Sequence, residues 1–473
     1  MMIRIWEQFK KLEIQKKAIL WFTFANIMQK GVTIIGTPIF TRIMSKSEYG
    51  ITTVYQSWLN IFTVIVTLNL SYGVFSKGLE KFEQERSLFS ASIQSLSVVL
   101  GGGWIVFFLI FKRYFEIVTG LDWKLLLFMF LSFLTTPIFD LWMAKERFEY
   151  RYKKLVFLST VNAVISIILP IIGILVFRDK ILSKVVFSSI FLVFIGFFIY
   201  SKTMRKEKFR ISARYWKYAI KFNLPLIPHY LSMIILNHSD RIMIQKLCGD
   251  AEAGMYSVAH QIANTLIIVT SAITASFTPF IYQNIKAKKI SLVKENILKY
   301  SFLVGIMSLC IIIIAPELMR VFASPLYYEA VKCVAPLVLA CFVQFSYSFF
   351  NAIQFYFEKT SFTLIVSIAG TMINIALNFI LVPYFGYVVC AYTTLFTFCI
   401  MALSHFMYSN YLCKKYLRSE ILKIYKSILL VIIFLLASIS LMTLYNGYIL
   451  RYILLVILIV LFMYRFFYSN KKE

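Results

Sequence analysis

The sequence predicts an all-α polytopic membrane protein of about 14 transmembrane helices. They form two pseudo-symmetric six-helix lobes plus two C-terminal helices, with both termini cytoplasmic. Three observations carry this. Of 473 residues, 60% are hydrophobic and only 15% charged, against about 25% charged in an ordinary soluble domain. Apolar windows of roughly 20 residues, enough to cross a bilayer as a helix, recur from end to end. Finally, a segment near residue 40 returns near residue 240. The windows are continuously apolar rather than alternating, which selects helices over a closed barrel.

The expected spans are 18–41, 50–75, 88–111, 122–144, 155–177, 181–200, 218–246, 254–284, 293–315, 330–356, 361–382, 386–411, 421–444 and 448–468. Ahead of the first, Ile5, Trp6, Phe9 and Leu12 share one helical face, with Lys and Glu opposite, as in a helix lying in the membrane interface. A short basic tail reads equally well. The first span carries Lys30 near its middle and lacks a small-residue cleavage site, so it is not a signal peptide. Gly101–Gly103 in the third permit close helix packing. Pro38 in the first span and Pro225 and Pro228 in the seventh can kink those helices. No loop is long enough to be a separate domain, so the chain divides into lobes at 1–200 and 215–415 and two added helices at 421–468.

Charge sets the orientation. Of the 49 Lys and Arg, 35 fall on the side of the N-terminus, 13 on the other, and Lys30 within a span. Basic loops stay in the cytoplasm, so both termini and the long polar stretch Ser201–Lys217 belong there. The net charge of +27 therefore reports topology and anionic lipid. The basic residues are too dispersed for a nucleic-acid surface. The seven Cys are scattered without a C-x-x-C, and the four His form no ligand pattern, so neither disulfides nor a metal is expected.

The repeat pairs "TRIMSKSEYGITTVYQSWLN" with "DRIMIQKLCGDAEAGMYSVAHQIAN". Arg42-Ile43-Met44 matches Arg241-Ile242-Met243. Past five extra residues, Glu48 matches Glu252, Gly50 matches Gly254, and Asn60 matches Asn264. An even number of helices per copy makes the repeats parallel about an axis along the membrane normal, as in rocking transporters. The Glu-x-Gly in each copy reads as a tight outer turn in which Gly takes a positive φ.

Polar residues inside spans are the candidate site, because burying charge in lipid is costly. Lys30 aligns with His229, both mid-span, and two basic groups there make an anion site. Gln56 aligns with His260, and Asn60 with Asn264, one turn deeper. These could line a cavity or bond helix to helix. Asp240 has no counterpart in the first copy, where Thr41 stands. Either it pairs with a cation from another helix, or it titrates in coupling. Arg42 and Arg241 fall at the outer ends of their helices. No carboxylate pair, nucleophile–base set or phosphate loop stands out, so no catalytic residue is assigned.

The stretches "DRIMIQKLCGDAEAGMYSVAHQIANTLIIVTSAITASFTPFIY" and "TPIFTRIMSKSEYGITTVYQSWLNIF" resemble the Wzx-type flippases of bacterial surface polysaccharide synthesis. These belong to the multidrug/oligosaccharidyl-lipid/polysaccharide exporter superfamily. The resemblance implies a transporter of the bacterial cytoplasmic membrane. It would carry an undecaprenyl-diphosphate-linked oligosaccharide for O-antigen or capsule between leaflets by alternating access. It further implies no cofactor, coupling to a proton or sodium gradient, and a polysaccharide polymerase and chain-length proteins as partners. A drug/cation antiporter of the same superfamily is the alternative, though its cavity should favour carboxylates. A polymerase would need a large outer loop, which is missing.

Overall fold

The computed structural model describes residues 13–208, 210–420, 424–445 and 447–470. The N-terminal interfacial face expected from Ile5, Trp6, Phe9 and Leu12 lies outside these. Every expected span coincides with a helix. They are α1 (Ile14–Ile43), α2 (Lys46–Thr67), α3 (Arg86–Ile110), α4 (Trp123–Phe148), α5 (Tyr152–Val176), α6 (Lys180–Lys206) and α7 (Ala213–Leu247), then α8 (Asp250–Lys286), α9 (Ile290–Ile313), α10 (Val331–Tyr356), α11 (Thr360–Phe385), α12 (Val389–Leu417), α13 (Ile424–Thr443) and α14 (Tyr448–Asn470). Among the described residues, eleven helices are long and apolar enough to cross a membrane. The protein is a multi-pass membrane protein.

Packing groups the chain into two compact units. One holds Met1–Gly36 with Ile51–Ile234, the other Thr37–Gly50 with Ile235–Glu473.

In the first unit, α4 is broken at Phe133–Thr135, just before Pro137, whose ring nitrogen cannot donate to the preceding turn. The freed backbone is crossed closely. A Cβ on Gly101 would lie 3.1 Å from the Phe133 carbonyl oxygen, and one on Gly196 of α6 only 2.2 Å from that of Thr135. Of the three consecutive glycines, Gly101 alone makes such an approach; a Cβ on Gly102 or Gly103 would meet open space. Pro225 gives a 3-10 turn at Leu224–Leu226 that interrupts α7, whereas α1 continues as helix through Pro38. The Asn223 side chain donates to the carbonyls of Leu68 and Asn69 at 2.8 and 3.0 Å. Those two residues turn through φ 50° at the end of α2, and their buried carbonyls need a partner.

In the second unit, α10 is the buried centre, touching α8, α9, α12 and α13. The repeated Glu-x-Gly is not a turn. Both copies lie inside helices, α2 and α8, and the positive φ belongs to Gly249 instead. Glu48 completes a capping box: its carboxylate accepts from the Ser45 N–H at 2.7 Å, and its own N–H donates to the Ser45 hydroxyl. Both groups are orphan polar atoms of a helix start. Glu252 stands in the first turn of α8, where a negative charge suits the helix dipole. Gly50 and Gly254 serve close approach. A Cβ on Gly50 would lie 1.8 Å from the Asp250 carbonyl oxygen, and one on Gly254 would lie 2.5 Å from that of Lys46. Each copy's glycine meets the start of the other copy's helix.

Candidate functional site

A buried polar cluster of the second unit surrounds Asp240, which is 4% exposed. The second half of α7 carries it between Ser239 and Arg241. Its Oδ2 accepts from the Tyr256 hydroxyl of α8 at 2.6 Å and from the Thr394 hydroxyl of α12 at 2.7 Å. Its Oδ1 accepts from the Asn378 amide of α11 at 2.7 Å. Asn378 donates as well to the Asn374 side-chain oxygen at 3.3 Å, and its own oxygen accepts from Thr393. Asn374 in turn donates to Thr394 at 3.2 Å. Every donor on the carboxylate is neutral. No cation among the described residues forms an ion pair with Asp240.

Arg241 follows in sequence but points elsewhere, because adjacent helical residues do not share a face. Its guanidinium meets the Nδ1 atoms of His238 at 3.2 Å and His260 at 2.8 Å. Guanidinium can only donate, so both ring nitrogens are acceptors. The Asn264 amide also reaches His260 Nδ1, at 3.0 Å. Asp240, His260 and Asn264 line one small cavity of ≈ 20 Å³, together with Asn237, Gln344 and Thr394. That is room for about one water or a small dehydrated cation.

A buried carboxylate hydrogen-bonded only by neutral groups is costly unless its charge is neutralised. Two chemistries can neutralise such a group. One is a proton. The other is a small hard cation, because the surrounding atoms are carboxylate, amide and hydroxyl oxygens, the ligands such ions prefer.

The remaining candidates lie apart. Gln56 donates to Asn60 at 3.4 Å in the first unit, the same i, i+4 pairing that joins His260 to Asn264 in the other copy. Lys30 and His229 also belong to the first unit. Lys30 is exposed on α1. His229 is half-buried, and its Nδ1 has no partner. No hydrogen bond joins the two among the described residues. Arg42 is exposed and donates to the carbonyls of Arg320 and Val321 at 3.0 and 3.2 Å, so it caps the C-terminal end of the short helix Ala315–Phe322. Of the two ways to satisfy Asp240, a cation from another helix is not what the structure contains. Reading the sequence missed Tyr256, Asn378, Thr393 and Thr394. The signal was present: Asn374 and Asn378 are four apart in an apolar helix, which stacks them on one face.

Comparison with known proteins adds the following. The model of the family described as "Polysaccharide biosynthesis protein" matches residues 16–285, and that of MatE matches residues 225–380. The Lsg locus putative protein 1 of Haemophilus influenzae is 25% identical over 80% of this chain and 94% of its own length. Among solved structures, the lipid II flippase MurJ in an inward closed conformation superposes with a TM-score of 0.70 at 14% identity, covering 96% of this chain and 99% of that one. An inward-facing multidrug resistance MATE family transporter of the MOP superfamily gives 0.63 at 13% identity, covering 85% and 99%. Both share the fold.

Proposed function

Because the chain belongs to the polysaccharide biosynthesis protein family, we propose that it is a flippase of the bacterial cytoplasmic membrane and not an enzyme. It moves an undecaprenyl-diphosphate-linked oligosaccharide from the inner to the outer leaflet for O-antigen or capsule synthesis. The relative from the Lsg locus and the fold shared with a lipid II flippase support this reading. Two six-helix lobes, near 1–200 and 215–415, alternate access, with 421–468 as an addition.

The single observation that carries a transport cycle is the carboxylate of Asp240 held only by neutral donors. Taking up and releasing a proton or sodium ion there switches the local charge, and a ligand that binds one state better shifts the population toward it. Lys30 provides the grip on the substrate. It is exposed on α1, and an ammonium is a compact charge with three donors for diphosphate oxygens. His229 adds a donor when protonated. Gln56 and Asn60 meet the sugar hydroxyls. A polymerase and chain-length proteins act on the delivered product.

In a strain lacking the chromosomal copy, Lys30→Ala should abolish surface polysaccharide, Lys30→Arg should partly retain it, and His229→Ala should have a smaller, pH-dependent effect. Membrane levels are measured alongside. Normal export by Lys30→Ala at normal levels removes the diphosphate role. The MatE match over residues 225–380 favours a second reading, a drug/cation antiporter. It predicts that loss of the protein sensitises cells to cationic drugs and leaves surface polysaccharide intact.

A further inference from the structure

A second polar cavity lies wholly within the first unit, away from Asp240. It has a volume of ≈ 720 Å³ and is enclosed by the start of α3, the end of α4, the start of α5 and the end of α6. Those four helix ends share the membrane side that the basic residues assign to the cytoplasm. Lys145, Lys153, Lys154, Lys202 and Lys206 line it, with Arg151. Two carboxylates oppose these six cations, and one, Glu149, is already taken by Arg151 at 2.9 Å. None of the five lysine side chains forms a hydrogen bond or ion pair with a described residue.

Two features separate this cavity from an ordinary basic loop. The first is the placement of charge. Arg151 is the N-cap of α5, Lys153 and Lys154 follow in its first turn, and that turn holds no acid. The positive end of a helix favours anions, so three cations there oppose the local preference. Such conflicts mark sites where a ligand completes the structure. The second is the inner wall. Ser90 and Gln94 of α3 are 1% and 2% exposed, and the Ser90 hydroxyl and Gln94 side-chain oxygen have no hydrogen-bond partner. Buried polar atoms are ordinarily satisfied, so these two await a partner that brings both an acceptor and a donor. The outer wall is different. Leu158, Ile195 and Phe198 line it, and Phe198 is 62% exposed, so the cavity runs from buried polar groups and lysines to an apolar face at membrane depth.

We propose that this cavity binds the phosphate headgroup of an anionic lipid from the cytoplasmic leaflet, with the lysines on the phosphate, Ser90 and Gln94 on headgroup oxygens and hydroxyls, and the chain along Phe198. A bulk phospholipid and an undecaprenyl-diphosphate carrier both offer this chemistry. The cavity shares no residue with the site proposed for the flippase; a phospholipid occupant is independent of that reading, and a carrier occupant rests on it.

The test is native mass spectrometry of the full-length protein in detergent, titrated separately with phosphatidylglycerol, undecaprenyl diphosphate, phosphatidylcholine and free pyrophosphate. The triple variant Lys153→Ala/Lys154→Ala/Lys206→Ala changes only exposed side chains. It is compared with Lys286→Ala/Lys288→Ala/Lys289→Ala, which removes the same charge from an exposed segment of the second unit. One lysine near an anionic lipid is worth roughly fivefold in affinity, so three should weaken binding on the order of 100-fold. The expected result is retention of one or both anionic lipids by the wild type, lost in the first variant and kept in the second. Preference for phosphatidylglycerol assigns the site to bulk lipid; preference for undecaprenyl diphosphate assigns it to the carrier. Equal retention of phosphatidylcholine, equal binding of free pyrophosphate, or equal loss in both variants overturns the proposal.

Discussion

Asp240 and Glu317 are both buried or half-buried carboxylates, yet their partners give them opposite roles. Asp240 has neutral donors only, so removing its charge should not unfold the protein. Replacing a costly buried charge is often neutral or stabilising. We expect Asp240→Asn to keep or raise Tm in detergent while lowering transport on the order of 10–100-fold, the usual size of a coupling between two sites. A clear drop in Tm would mean that its donors need the carboxylate, making Asp240 a structural partner and not a coupling group. Glu317 is such a partner. Arg451, fully buried on α14, donates to both its oxygens at 2.7 and 3.0 Å and to the Ile313 carbonyl, and the Tyr452 hydroxyl adds a further bond. Burial pushes the Glu317 carboxyl up, but these donors and its own backbone outweigh that and hold it below the ordinary value of 4.5. A depressed carboxylate stabilises the fold above its unfolded value and loses that contribution as pH falls through its folded value. Thermal stability should therefore be insensitive to this pair from neutral pH down to 4.5 and weaken only below it. Glu317→Gln should cost about 3 kcal/mol, the low end for stranding a buried cation because Glu317 is partly exposed. A Tm unchanged by Glu317→Gln would show that Arg451 is satisfied without it.

At the scale of elements, the repeat was readable but its meaning was not. Equivalent residues recur as Glu48 and Glu252, and as Gly50 and Gly254. A glycine after an acid looks like a turn, since turns need positive φ. Spacing does not reveal that another helix start lies against the glycine. The contact is long-range, between α2 and α8, and appears only once both are packed. It makes a sharp expectation. Gly50→Ala places a Cβ 1.8 Å from a backbone oxygen, and Gly254→Ala places one 2.5 Å from another. Overpacking of this kind costs about 1–3 kcal/mol, so both variants should melt lower, Gly50→Ala more so. Gly102→Ala, which meets open space, should not. Equal melting of all three would remove the close-approach account. Asp240 shows the same limit. The sequence marks it as an unusual residue in an apolar span, but its partners come from α8, α11 and α12, up to 154 positions away. Without the fold, a cation from another helix was as reasonable a partner as three neutral donors.

For the whole molecule, hydropathy and charge were the legible signals, because lipid forces backbone pairing inside each span and so ties span count to composition. The fourteen expected spans coincide with α1–α14 within a few residues at most ends. The exceptions have local causes: α2 stops at Thr67, before the left-handed turn at Leu68 and Asn69, and α4 is broken ahead of Pro137. The candidate site was legible in part. Asp240, His260 and Asn264 come together around one cavity, while Lys30, His229, Gln56 and Asn60 are placed in the first unit. What the whole molecule moves shows most plainly in the leaflet position of its substrate. Spheroplasts from cells with and without the protein are exposed to a membrane-impermeant enzyme that cleaves glycan from undecaprenyl diphosphate. The account predicts that lipid-linked oligosaccharide accumulates in a protected, inner-leaflet pool when the protein is absent, that wild type returns it to the cleavable pool, and that Asp240→Asn does so only slowly. Equal cleavage with and without the protein would contradict it.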